Sequence, residues 1–139
     1  FNRNIFLGGD LIVGNTTIAT KAGDGIIAVG ADGAILTNSA NSLADDGTLD
    51  IAVNTGGGGY QGFLSVANTV TASANARTQS TFSVFGRGTD SSIQQIATDT
   101  GGSAATFTVT TPSNGLIRVT NTSGNTCNTR MQFFGGTSL

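Results

Sequence analysis

The sequence contains no histidine, no tryptophan and no glutamate, and it contains one cysteine, one proline and one methionine. Catalytic acids, catalytic bases and metal sites draw mainly on histidine, glutamate and clustered cysteine. A chain without these residues has few ways to build an active site. The composition therefore favours a structural or binding protein over an enzyme, and we expect no cofactor.

Charge is equally scarce, because charged residues make up only 10% of the chain. The six basic residues, Lys21 and five arginines, are scattered along the sequence. Binding to a phosphate backbone requires clustered lysine and arginine, so we expect no nucleic-acid partner. No apolar run approaches the ~18 residues of a transmembrane helix, so we expect no membrane partner.

The single cysteine lies in an alternating segment with Thr129, Met131 and Phe133. A nucleophilic cysteine needs a neighbouring base, and the chain has no histidine to serve as one. Cys127 is therefore predicted to be a small buried hydrophobic residue.

What the chain has in abundance is glycine, threonine and alternating apolar residues, which favour strands over helices. Leu49, Ile51 and Val53 alternate with polar residues, as expected for a strand with one buried face. Glycine-rich turns separate these segments. We predict an all-β fold, a β-sandwich or jelly-roll-like domain of about seven to eight antiparallel strands. The further strand segments are residues 63–70, 81–85, 93–97, 107–109, 117–119 and 127–133.

The first 45 residues differ from the rest, because short apolar runs repeatedly follow Asp-Gly pairs such as Asp24-Gly25 and Asp32-Gly33. Asp-Gly favours tight turns, and units this short bury little surface on their own. We predict an extended β arm over residues 1–45 and a sandwich domain over residues 46–139. The alternative is that the arm forms extra hairpins of the same sandwich.

Acidic residues cluster around the boundary of these two regions, at Asp45, Asp46 and Asp50, with Asp24 and Asp32 upstream. Carboxylates could bind Ca²⁺, but the spacing matches no EF-hand loop. The side chains of adjacent Asp45 and Asp46 would diverge in extended backbone, which disfavours a glycosidase pair. We interpret these residues as turn formers and predict no metal site.

Two segments place large apolar residues on both faces of a strand. Phe82 and Phe85 are one such pair, and Phe133 and Phe134 are another. A strand with one face in water should not show this pattern. These strands either lie between two packed layers, or Phe85 and Phe134 cover a subunit interface, which is the interpretation we favour.

A run of four glycines, Gly56 to Gly59, precedes the only tyrosine. No Lys-Ser or Lys-Thr follows, so the run is not a phosphate-binding loop. It is typical of a hairpin loop whose tip carries Tyr60, either as a contact or simply exposed to solvent. Tyr60, Arg87 and Asp99 are the candidate receptor-contact residues.

The strand series resembles the β-rich trimer modules of tailed-bacteriophage virions, which occur as capsid decoration (cement) proteins and as C-terminal modules of tail fibres and tailspikes. The resemblance covers residues 46–135. It is a likeness in the general character and order of the strands. It implies a homotrimer on the virion surface, whose partners are other copies and the major capsid protein or another virion protein. The segments that carry it are residues 62–66, 81–87, 93–96, 105–109, 117–121 and 131–135.

Among these virion roles, a short chain with a short N-terminal arm favours a cement protein. The arm would then dock on the capsid, and deletion of residues 1–14 is expected to abolish particle binding while leaving a folded trimer. If Phe1 is not the true start of the protein, a fibre tip is favoured instead. The docking residues would be Ile5, Phe6, Leu7, Leu11, Ile12 and Val13.

Two alternatives belong to other functional classes. One is a fibre-tip module that binds a host-surface glycan through the loops around Tyr60, Arg87 and Asp99. The other is an extracellular filament subunit that assembles by strand addition.

Overall fold

A computed structural model describes residues 11–13, 16–19, 26–28, 33–53, 58–73, 75–87, 90–113 and 115–136. These residues form strands, turns and connecting segments; they contain no helix, and so no helix able to cross a membrane. Their strands are β1 (Leu11–Val13), β2 (Thr16–Ala19), β3 (Ile26–Ala28), β4 (Gly33–Leu43), β5 (Thr48–Ala52), β6 (Gly59–Val70), β7 (Arg77–Arg87), β8 (Asp90–Gly101), β9 (Phe107–Ser113), β10 (Leu116–Asn121) and β11 (Cys127–Gly136).

The strands form two main sheets and a small hairpin. The larger sheet has six strands in the order β3-β4-β11-β6-β7-β8, and the smaller has three in the order β5-β10-β9. β1 and β2 form the hairpin, and neighbouring strands are antiparallel throughout. The predicted all-β antiparallel sandwich is confirmed. Each strand segment predicted after residue 48 lies in one of β5 to β11, except that Val53 follows the end of β5.

The core lies between the two sheets and follows the alternation of the sequence. On β10, Ile117 and Val119 are fully buried, whereas Arg118 between them is partly exposed. Opposite them, β6 and β11 contribute the buried residues Leu64 and Phe133. Successive strand side chains point to opposite faces, so each sheet presents one apolar face to the other. The remaining members of this core are Leu36, Leu49, Ile51, Val53, Tyr60, Val66, Phe82, Val84 and Met131.

A second, smaller cluster of buried residues contains Cys127, together with Val70, Ala76 and Ala105. Cys127 is fully buried, and its thiol is not in a disulfide. The prediction that it is a small buried hydrophobic residue is confirmed.

The end of the predicted arm belongs to the larger sheet. β4 pairs with β11 from Leu43 opposite Cys127 to Gly33 opposite Gly136, and β3 pairs with β4 on its other side. Residues 33–43 are therefore a strand of the same sheet as β6 and β7. The division of the chain into two domains at residue 45 stays a prediction.

Tyr60 lies inside β6 and is only 1% exposed, so its predicted position at an exposed loop tip is wrong. The ring packs over Gly86 on the neighbouring strand β7. A Cβ atom at residue 86 would lie 2.3 Å from Tyr60 Cζ, so only glycine leaves room for the ring. The glycine run therefore leads directly into a core strand.

Candidate functional site

The candidate site is the outer face of the six-stranded sheet, the face turned away from the three-stranded sheet. Its residues alternate with the core residues of β4, β11, β6, β7 and β8. Three phenylalanine rings lie on this outer face: Phe63 is 56% exposed, Phe85 50% and Phe134 42%. Exposed aromatic rings grouped on one sheet face are typical of an interaction surface.

The register of the strands brings these three rings together. Phe134 lies directly opposite Phe63 on one side and opposite Ile35 on the other. Phe85 lies opposite Gln61, one row further along the strands. The three rings line a shallow depression of about 400 Å³.

Gly62 keeps β6 close to β11 beneath this depression. A Cβ atom at residue 62 would lie 2.2 Å from the carbonyl oxygen of Phe134 and 2.7 Å from the Cα of Gly135. Any larger residue at 62 would separate the two strands and shift Phe63 relative to Phe134.

The outer face also carries charges of both signs. Arg77, Arg87 and Arg130 are exposed there, and so are Asp90 and Asp99, which lie opposite Arg87 and Gln79. Among the described residues, none of these five charges takes part in an ion pair within the chain.

The ion pair that does occur in the described part of the chain lies on the three-stranded sheet. Arg118 donates two hydrogen bonds of 2.7 Å to the carboxylate of Asp50, which lies directly opposite it on β5. The hydrogen bond from Arg118 lowers the pKa of Asp50 below its ordinary value.

Two of the other predicted turn-forming acids, Asp45 and Asp46, lie in the turn between β4 and β5. Asp45 accepts a 2.8 Å hydrogen bond from the amide of Gly124, and Asp46 adopts a positive φ of 60° in the turn before β5. Asp24 and Asp32 lie outside the described residues. Within the described ranges, no three acidic or cysteine side chains are grouped to hold a metal ion.

Phe85 and Phe134, predicted at a subunit interface, are both exposed in the single chain, as such a role requires. The alternative, that one chain buries them between two layers, is wrong, because both rings are exposed and the three-stranded sheet, the second layer among the described residues, lies on the opposite face. The interface itself stays a prediction. Phe63 was missed, although Phe63-Leu64 repeats the signal of Phe133 and Phe134.

The candidate receptor contacts do not form one site. Arg87 is exposed at the end of β7, whereas Asp99 lies within β8, opposite Gln79 towards the other end of the sheet. Tyr60 is buried in the core. The sequence reasoning placed all three in loops, but the strands extend further than the alternation indicates.

The predicted docking arm is described only in part. Residues 11–13 form β1 and pair with β2, in a hairpin that is not paired with a strand of the two main sheets in the described part of the chain. Ile5, Phe6 and Leu7 lie outside the described residues. The docking role of this segment stays a prediction.

One polar cluster was not found from the sequence. Asn121 donates hydrogen bonds to the carbonyl oxygens of Leu43, Ala44 and Asn125, and its own side-chain oxygen accepts one from Asn68. Asn68 in turn accepts a 2.6 Å bond from Thr129, and Asn68, Asn121 and Thr129 are all fully buried. This cluster joins β6, β10 and β11 to the turns beside them, and its role is structural.

No protein-family model and no curated protein matches the chain. Among solved structures, it is similar to the tailspike protein of the Acinetobacter phage vB_ApiP_P1, with a TM-score of 0.53 and 18% identity. The match covers 99% of this chain and 25% of the tailspike chain, so the chain spans about a quarter of the length of that protein. At this identity the likeness concerns the fold: the sandwich is a β-module of a kind found in a phage tailspike.

Proposed function

We propose that this chain is a structural module of a phage tailspike or tail fibre, which assembles with copies of itself through the outer face. The observation that carries the proposal is the group of exposed rings Phe63, Phe85 and Phe134. We further propose a homotrimer on the virion surface and no catalytic role.

The size of the outer face supports assembly between copies. Each phenylalanine side chain has a surface of ~200 Å², and about half of it is exposed. The three rings together therefore present roughly 300 Å² of apolar surface. Burial of that area would contribute about 7 kcal/mol per copy at about 25 cal/mol per Å².

The strands around the rings supply the rest of an interface. The outer face comprises five strands that lie about 4.8 Å apart. It has about five rows of side chains, each row ~6.8 Å from the next, so its area is roughly 800 Å². That is the area that one partner contributes to a standard protein interface. The face as a whole therefore has the right size for one partner, and its rings occupy one end.

The fold likeness to a tailspike favours a spike or fibre module over a cement protein. The glycan-binding alternative has less support, because Tyr60 is buried and is not available for contact. The composition, with no histidine or glutamate, supports the absence of catalysis.

Measurement of the mass in solution tests the assembly. The wild-type chain is expected to form a discrete oligomer by sedimentation equilibrium, and Phe63→Ser with Phe85→Ser is expected to yield a folded monomer. Ile96→Ser is the matched control, because Ile96 is as exposed as Phe63, at 56%, but lies outside the group of rings. A wild-type chain that stays monomeric at all concentrations would contradict the proposal.

Labelling of particles tests the location. Antibodies against the purified chain, detected with gold by electron microscopy, are expected to decorate the tail of phage particles that contain this chain. Decoration of the head would instead support a cement protein. Particles without any label would contradict a virion role.

A further inference from the structure

The outer face leaves five charged side chains without an ion-pair partner among the described residues of the same chain. They are three cations, Arg77, Arg87 and Arg130, and two anions, Asp90 and Asp99. A face that bears both signs can be complementary to a copy of itself. A second copy of this chain is therefore an occupant that matches the face in charge as well as in apolar area.

Two of these charges lie in one row across the sheet. Arg130 on β11 is opposite Ala67 on β6, Ala67 is opposite Gln79 on β7, and Gln79 is opposite Asp99 on β8. Arg130 and Asp99 thus lie at the same position along the strand direction, on two strands that have β6 and β7 between them. Three strand spacings, about 14 Å, separate them, which is too far for an ion pair within one chain.

We infer that copies of this chain associate around an axis parallel to the strands of the six-stranded sheet, with Arg130 of one copy paired to Asp99 of the neighbouring copy. This inference rests on the proposed assembly through the outer face. It adds the direction of the symmetry axis and the two residues that set the orientation of the copies.

A rotation about an axis parallel to the strands does not change the position of a residue along the strand direction. It brings the β11 side of one outer face against the β8 side of the outer face of the next copy. Residues of one row therefore meet across the interface, whether two or three copies surround the axis. Phe63 and Phe85 lie on β6 and β7, the two strands between β11 and β8, so they meet their counterparts near the axis.

An axis perpendicular to the strands gives a worse match. It reverses the order of the rows and sets each strand against the same strand of the other copy. Arg130 then meets β11, which has no acidic residue, and Asp99 meets β8, which has no basic residue. Both charges would lose water without gaining an ion partner, which is unfavourable. The charges therefore select the axis parallel to the strands.

Charge reversal with rescue tests the inference on the full chain. We expect Arg130→Asp and Asp99→Arg each to weaken self-association about tenfold or more, because each places two like charges together. The double variant R130D/D99R restores the opposite pair and is expected to associate within about threefold of wild type. Sedimentation equilibrium at low salt gives the dissociation constants, and circular dichroism verifies that each variant folds.

Arg87 provides the matched control. R87D/D99R has the same net charge as R130D/D99R, but Arg87 lies at the end of β7, far from the row of Asp99. This control is expected to remain as weak as Asp99→Arg alone. We also expect salt to weaken the wild-type oligomer more than the Arg130→Asp variant, because screening acts on the ion pair.

The outcomes separate the inference from the proposed function. An oligomeric wild type whose affinity is unchanged by Arg130→Asp or Asp99→Arg, or whose double variant is as weak as the singles combined, overturns the inference and leaves assembly through the phenylalanine rings in place. A monomeric wild type overturns both.

Discussion

At the scale of single residues, one glycine determines where the only tyrosine lies. Gly86 leaves room for the Tyr60 ring, and a methyl group at residue 86 would overlap it. We expect Gly86→Ala to lower the free energy of unfolding by about 1–3 kcal/mol, because the ring must move out of a packed core. Chemical denaturation measures the change. Gly124→Ala is not a suitable control, because Gly124 has a positive φ of 73°; Ser83→Ala, exposed on the same strand, is suitable.

The same burial predicts how stability depends on alkaline pH. Burial raises the pKa of Tyr60 above its ordinary value of about 10. The folded chain thus holds the phenol proton more tightly than the unfolded chain. This contribution to stability is full below about pH 10 and is lost as the pH rises through the folded pKa.

Two measurements check this expectation. Because the chain has one tyrosine and no tryptophan, its phenolate absorbance reports Tyr60 directly. The absorbance should rise at a higher pH in the folded chain than in the unfolded chain, and Tyr60→Phe should lose this part of the alkaline decline in stability. Coincident titration curves for the folded and unfolded chains would contradict the assignment.

Asn121 is the residue whose loss should disturb the most elements at once. Its side chain donates to three carbonyl oxygens and accepts from Asn68, all in a buried site. We expect Asn121→Ala to lower the free energy of unfolding by about 2–4 kcal/mol, because buried polar groups lose their partners. Exposed Asn128, which accepts one bond from Ser42, is the matched control and should cost less than about 1 kcal/mol as alanine. Equal losses would show that the cluster adds nothing.

At the scale of elements, the order of strands predicts an order of local stability. Within the described ranges, β11 and β6 are paired on both sides, whereas β8 and β9 are paired on one side. We expect amide hydrogens of β6 and β11 to exchange most slowly and those of β8 to exchange fastest among the long strands, because β8 is exposed along almost its whole length. Hydrogen exchange followed by mass spectrometry measures this, and slow exchange across all of β8 would contradict it.

The elements also show how far the sequence alone can be interpreted. Strands β5, β10 and β11 were predictable because their large apolar residues alternate with polar ones. β4 was predictable only at its start, where an apolar run follows Asp32-Gly33. Asn38, Ser39 and Ala40 give no such alternation although they pair with β11. The Asn68–Asn121 contact could not be predicted either, because the two residues are far apart in the chain and nothing in the sequence pairs these two among its many asparagines. The exposure of Phe63 could have been inferred, because Leu64 beside it is also apolar and adjacent side chains of a strand point to opposite faces.

At the scale of the whole molecule, assembly and folding should be coupled. A partner that binds only the folded chain raises its apparent stability by mass action. We therefore expect the thermal midpoint of the wild-type chain to rise with protein concentration, whereas that of the Phe63→Ser, Phe85→Ser double variant should not change. Calorimetry over about a hundredfold range of concentration measures this. A wild-type midpoint that does not depend on concentration would separate folding from assembly.

The lone thiol has a practical consequence for work on this molecule. Cys127 begins β11, is fully covered, and is the only cysteine in the sequence. A thiol-reactive dye can reach it only when the start of β11 peels away from its neighbours, so the rate of labelling counts opening events. The natural sequence thus provides a probe for local unfolding at the start of β11, and no cysteine has to be introduced.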